Sequence, residues 1–362
     1  MRALLLFLLA APVIAQPPAP PTGTIVEETF HSTSLEESLI PDRADRGFSV
    51  YLPPSYKTST RRYPVVYLLH GAMDTYKAWS EDPEWANIPK IADKLVASAK
   101  IREMIVVMPD GDSVFGVPAY TNSVTTGNWE DYITRDLIGY VDSKYRTISR
   151  AASRGIAGHS IGGYAALKLA MKHPEIYGAA YALSACCLEW DTHWSPDSAA
   201  WGMVEKFQTL DDVVAARKFA EKEASPNDAE LRVAFVAVGD VALSAAWSPN
   251  PERAPFFADF PVVHKGEARA YDEKAKAAWI ANLVVPMLGQ YRSNMMQLRG
   301  IAFDVGAQDW NESLVTQARD LDHALRKNGI RHEFQEYAGT HTSRIPERIE
   351  TKTLPFFSRV LE

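Results

Sequence analysis

The chain has 362 residues, of which 46% are hydrophobic and 23% charged, and its formal net charge is −7. This is ordinary globular composition, with length enough for one large core or two small ones. The acidic balance and the lack of clustered Lys and Arg argue against a nucleic-acid partner, and beyond the amino terminus no apolar stretch reaches membrane-spanning length.

Met1-Arg2-Ala3 and the apolar run Leu4 to Leu9 have the basic start and short greasy core of a secretory signal. Val13-Ile14-Ala15 supplies compact residues where a signal peptidase reads, so residues 1–15 are expected to be removed and the protein exported to periplasm or medium. Gln16-Pro17-Pro18-Ala19-Pro20-Pro21 cannot continue a helix, which makes 16–24 a proline-rich leader. No Cys follows the cleavage position, so no lipid anchor is expected there. Residues 25–362 read as one catalytic domain.

Phe48 to Leu52 alternates like a half-buried strand and is stopped by Pro53-Pro54-Ser55-Tyr56. Pro64 to His70 is a continuous apolar, β-rich run ended by Gly71, as expected of a parallel strand buried on both faces. A helix at Ile88–Ala99, a strand at Met104–Met108 and a helix at Asp131–Lys144 repeat the grammar. The strand Arg154–Ala157, the helix Ile161–Lys172 and the strand Ala179–Leu183 complete it, so the fold class is α/β with a mostly parallel central sheet flanked by helices.

From about Leu188 to Gly300 the rhythm breaks into a helical and loop-like stretch, read as a cap-like insert. It carries Trp190, Trp194, Trp201, Trp247 and Trp279, whose expected use is a core holding the insert together, ahead of a platform for an aromatic acyl group or a sugar. Adjacent Cys186 and Cys187 exclude a loop-closing disulfide framework and leave a vicinal disulfide or two buried thiols. The strand Ile301–Val305, a helix Glu312–Lys327 stopped at Asn328-Gly329, and the strand Glu333–Tyr337 end the pattern.

Gly158-His159-Ser160-Ile161-Gly162-Gly163 falls where a strand ends and a helix begins, the context that a nucleophile elbow requires. Glycines at 158 and 162 relieve crowding in so sharp a turn and leave Ser160 projecting. A serine hydroxyl needs a base held in one tautomer by a carboxylate, and the chain order should be Ser, acid, His. Of nine histidines, His323, His332 and His341 lie beyond the resumed strand; His341, in the loop Ala338 to Thr342, is the expected base, while His70 and His159 shape the site. Asp309, in the loop after the penultimate strand, is the expected acid, ahead of Asp304 inside that strand. The amide of Ile161 and that of Ala72, or of Gly71 instead, are the expected oxyanion donors. The loop Tyr120 to Asp131 is expected to rim the pocket or to cap the helix that follows it. No His and carboxylate cluster at metal-ligand spacing is present, and neither metal nor organic cofactor is expected.

Val50 to Tyr56, Tyr63 to Gly71, the elbow Gly158 to Gly163 and the loops at Asp309 and His341 together resemble the "putative esterase" family, the group that includes S-formylglutathione hydrolases, feruloyl esterases and secreted mycolyltransferases. The resemblance implies the α/β-hydrolase fold and ester or thioester hydrolysis, sometimes acyl transfer. It implies the same triad, Ser160, Asp309 and His341, and the same oxyanion amides, Ala72 and Ile161. The expected substrate is a small-molecule or carbohydrate-linked ester. The insert at about 188–300 departs from compact members of the family. An acyltransferase using the same residues, or a ligand-binding protein without catalysis, are the alternative expectations.

Overall fold

The computed structural model describes residues 21–81, 85–221 and 228–362, so the expected signal segment 1–15 and the leader up to residue 20 lie outside the described residues. Eight strands form the central sheet: β1 (Thr24–His31), β2 (Asp45–Leu52), β3 (Val65–Leu69), β4 (Ile105–Pro109), β5 (Arg154–His159), β6 (Ala179–Leu183), β7 (Gly300–Gly306) and β8 (Glu333–Tyr337). Their order is β1-β2-β4-β3-β5-β6-β7-β8. β1–β2 and β2–β4 pair antiparallel; every other pair in the sheet is parallel.

The period of two along the strands divides the core. Val65, Tyr67 and Leu69 of β3 and Ile105 and Val107 of β4 face one layer, whereas Val66, Leu68, Val106 and Met108 face the other. Both faces are therefore covered, as the unbroken apolar runs predict. The helices Ile161–Lys172 and Glu312–Lys327 pack on one face, and Ile88–Ala97 with the carboxy-terminal helix Leu354–Val360 on the other.

Four features differ from the sequence expectation. β1 starts at Thr24, the last residue assigned to the leader, and escapes notice because Glu27 and Glu28 interrupt its apolar residues. The helix expected from Asp131 begins at Trp129 and passes through a π-helical turn at Tyr132–Asp136. The insert holds a hairpin, Val262–Lys265 with Ala268–Tyr271, besides its helices. The chain also ends in the helical segments Ile345–Arg348, Ile349–Thr353 and Leu354–Val360, where Phe357 comes so close to Gly155 that a Cβ there would lie 2.4 Å from its ring.

Within the insert, Trp194, Trp201, Trp247 and Trp279 are buried, and Trp194 and Trp247 meet Trp279 edge to face with ring centroids 5.0 and 5.4 Å from its own. They form the core of this segment. Its longest helix, Ala229–Trp247, is started by Asp228, whose side chain accepts from the amides of Glu230 and Leu231.

Candidate active site

Each expected site residue follows the carboxyl end of a parallel strand: Gly71 and Ala72 after β3, Ser160 after β5, Asp309 after β7 and His341 after β8. Parallel neighbours end at the same edge of a sheet, so four loops separated in sequence converge there. Ser160 and His341 line one cavity together with Ala72, Ile161, Trp194 and Trp310.

Ser160 has φ 56° and ψ −120°, a conformation that L residues rarely adopt. Its amide donates to the Leu183 carbonyl at 2.9 Å, which ties the turn to β6. A Cβ on Gly158 would lie 2.3 Å from the Gly162 carbonyl group, and one on Gly162 would lie 2.6 Å from the carbonyl oxygens of Leu69 and His70. Both positions admit only hydrogen. The Ile161 N–H opens the helix Ile161–Lys172, where no carbonyl of the same helix is available to it.

His341 Nδ1 is 2.7 Å from Asp309 Oδ2, and both side chains are buried. The second oxygen of Asp309 accepts from the Asn311 amide at 3.1 Å. A carboxylate only accepts, so the imidazole proton sits on Nδ1 and leaves Nε2 with a free lone pair. The two loops are joined backbone to backbone: Ala307 N–H donates to the Tyr337 carbonyl at 2.8 Å and Gln308 N–H to the Gly339 carbonyl at 2.8 Å. Gly306 permits this, since a Cβ there would lie 2.5 Å from the carbonyl oxygens of Gly339 and Thr340.

The other carboxylate and histidines are engaged elsewhere. Asp304 Oδ2 accepts from Tyr181 Oη at 2.7 Å and from Arg348 Nε and Nη2 at 2.9 and 2.7 Å, within the sheet and away from the loops. His332 bonds Asp322 at 2.9 Å and stacks on Phe303, while His323 is exposed on its helix.

His70 and His159 hold backbone in place. His70 Nε2 accepts from Gly111 N–H at 2.7 Å, so its Nδ1–H donates to the Gly71 carbonyl at 2.8 Å. That carbonyl shares its peptide plane with the Ala72 N–H, which a trans peptide points the opposite way, so His70 fixes the direction of that amide. His159 Nε2–H donates to the His341 carbonyl at 2.9 Å. Burial, and then repulsion from His341, push the His159 ring down to about 3.

Three parts of the site are absent from the sequence reading. Asp191 accepts from Asn311, Ser313 and Gln317 at 3.2, 2.7 and 3.0 Å and from His193, so it pins the insert to the helix that follows Asp309. Burial opposes its charge, but the bonds from His193 and Ser313 hold its carboxyl below the usual range. Trp310 lines the cavity with its ring 6.4 Å from that of His341. Phe235, Gly239, Asp240 and Leu243, on one face of the helix Ala229–Trp247, form a wall of the same cavity. Their spacing of four, one and three residues is the only local sign; which face points at Ser160 is set by tertiary packing. Cys186 and Cys187 are free thiols with sulfurs 3.0 Å apart, and both reach this cavity.

A family model described as "Putative esterase" matches residues 43–345. An esterase of Mycobacterium tuberculosis is 33% identical over 131 residues, 35% of this chain and 26% of its own length. The chain thus matches about a quarter of the length of that curated relative. Among solved structures, a ferulic acid esterase superposes with a TM-score of 0.63 at 20% identity, covering 94% of this chain and 100% of that one. An S-formylglutathione hydrolase from Agrobacterium tumefaciens gives 0.58 at 17%, covering 96% and 99%. At such identities the likeness concerns the fold, which is that of the α/β-hydrolase esterases.

Proposed function

The chain belongs to the Putative esterase family, and from that membership and the signal-like segment Met1 to Ala15 we propose that it is an exported serine esterase that cleaves carboxylic esters through an acyl-enzyme on Ser160. The observation that carries this reading is the buried 2.7 Å bond between His341 Nδ1 and Asp309 Oδ2, beside a serine held in an elbow on the same cavity. The substrate is a small-molecule or carbohydrate-linked ester.

Ser160 Oγ attacks the ester carbonyl carbon while His341 Nε2 takes its proton. Asp309 keeps the imidazole in the tautomer that can accept, and its charge stabilises the imidazolium that forms. Negative charge gathers on the carbonyl oxygen, where the Ile161 and Ala72 amides donate; one such donor is worth roughly 3–4 kcal/mol in the transition state. Collapse of the intermediate breaks the bond to the alcohol, which leaves with the proton from His341. Water then repeats the cycle on the acyl-enzyme, releasing the acid and restoring Ser160.

Hydrolysis of short-chain nitrophenyl esters and of a feruloyl ester, by the purified protein and by Ser160→Ala with folding checked by circular dichroism, tests the proposal. Loss of turnover by roughly 10⁴-fold or more in the variant is expected. Equal turnover by the two folded proteins, or none by either, overturns it.

A further inference from the structure

Asp240 is 1% exposed, in the interior of the helix Ala229–Trp247, and it lines the cavity shared by Ser160 and His341. Its Oδ2 has no hydrogen-bond partner among the described residues. Buried polar atoms are almost always paired, so an acid left open on a cavity wall calls for a reason. The second acid of this cavity makes the contrast. Asp191 is saturated by Asn311, Ser313, Gln317 and His193 and has a structural task. Asp240 clamps nothing comparable.

Burial, and then the charge of Asp191, push the Asp240 carboxyl well up, against a hydrogen bond from Trp194. A carboxyl that keeps its proton offers one O–H donor and a carbonyl acceptor. A hydroxyl is its natural complement, because it accepts and donates in turn. A second carboxylate would face the repulsion of Asp191. Besides its polar residues, the cavity is lined by carbon surface from Trp194, Phe235, Leu243, Trp310 and Leu314. They suit the skeleton of a substrate whose one polar group reaches the acid.

We propose that Asp240 is a specificity-determining residue that selects esters carrying a hydroxyl group on the half of the substrate that enters this cavity. The inference rests on the esterase reading and deepens it. A site built to hydrogen-bond a substrate hydroxyl discriminates strongly against the analogue lacking it, because the buried group is then left unpaired.

The test uses two matched pairs of esters. In one the hydroxyl is on the acyl half, methyl para-hydroxyphenylpropanoate against methyl phenylpropanoate. In the other it is on the alcohol half, para-hydroxyphenylethyl acetate against phenylethyl acetate. The wild-type protein is expected to prefer the hydroxylated member of one pair by roughly tenfold or more in kcat/KM. Asp240→Leu brings that ratio to within about twofold by slowing the hydroxylated ester, whereas Asp240→Asn, which keeps a donor and an acceptor, retains a preference. Ratios near unity for both pairs in wild type overturn the proposal, and so does a preference that survives in Asp240→Leu. Should the leucine variant fail to fold, Asp240→Ala, which removes donor and acceptor without adding bulk, takes its place with the same expectation. If wild type turns over these esters without discrimination, only the role of Asp240 falls; if it turns over none of them and no nitrophenyl ester, the esterase reading falls with it.

Discussion

His159 donates its Nε2–H to the main-chain carbonyl of His341 across 2.9 Å, so the residue just ahead of Ser160 holds the loop that carries the second imidazole. The ring is neutral through the working range, because burial and then His341 push it down to about 3. His159→Ala is expected to lower kcat about ten- to a hundredfold by loosening that loop. Since a group that titrates near 3 carries no part of a limb above pH 5, the pH–rate profile of the variant should keep the wild-type midpoints. A moved midpoint would mean that His159 titrates in the reaction.

Asp309 and Asp304 should separate cleanly. Asp309→Asn is expected to cost roughly 10⁴-fold in kcat by disturbing the tautomer of His341, with little change in thermal stability. Asp304→Ala strands Arg348 without its buried partner and should destabilise the fold by about 3–5 kcal/mol. Denaturant melts and steady-state kinetics on both variants check this; the reverse assignment of effects would make Asp304 the acid.

Gly306→Ala drives a methyl into the carbonyl oxygens of Gly339 and Thr340, which must then retreat. Overpacking of this kind costs about 1–3 kcal/mol. The larger effect is expected on kcat, which should fall at least tenfold as Asp309 and His341 part. Retention of full activity would show that the loops have another way to stay in register.

Glu130 links the stability of the protein to acid. Burial raises its carboxyl, but hydrogen bonds from His173 and Lys172 outweigh that and bring it down to about 2. A depressed carboxyl contributes stability that is fully present above its unfolded value near 4.5 and is lost as pH falls from there toward 2. The shift corresponds to at most about 3 kcal/mol. Urea unfolding between pH 2 and 6 should therefore show a steeper acid limb in wild type than in Glu130→Gln; parallel curves would remove Glu130 from the acid sensitivity.

Export predicts that the mature protein recovered outside the cytoplasm begins at Gln16. Amino-terminal sequencing of that fraction checks it, and an intact Met1 there would overturn cleavage at Ala15.

The central sheet was readable because its inner strands are buried on both faces and so appear as unbroken apolar runs; Val65–Leu69 and Ala179–Leu183 fall within the predicted spans. The elbow was readable because its constraint is local: Gly158 and Gly162 touch each other within five residues of chain. The pairing of Asp309 with His341 was accessible through strand order. Asp191 and Asp240 were not, because an acid on a helix or in a loop looks solvated until packing buries it. β1 was missed for a related reason. An edge strand can carry Glu27 and Glu28 on its opposite faces, and the apolar alternation weakens accordingly.

Asp191 gives the insert and the acid loop with its following helix a common fastening point, since one carboxylate receives His193 from the insert, Asn311 from the end of the loop, and Ser313 and Gln317 from the helix. On the proposed reading, substrate choice and turnover are therefore mechanically linked in this chain. Replacing the stretch between β6 and β7 with that of another hydrolase, to change which esters fit, would also remove the anchor beneath Asn311 and hence the support of Asp309. A graft that preserves activity has to bring its own acceptor for those three side chains.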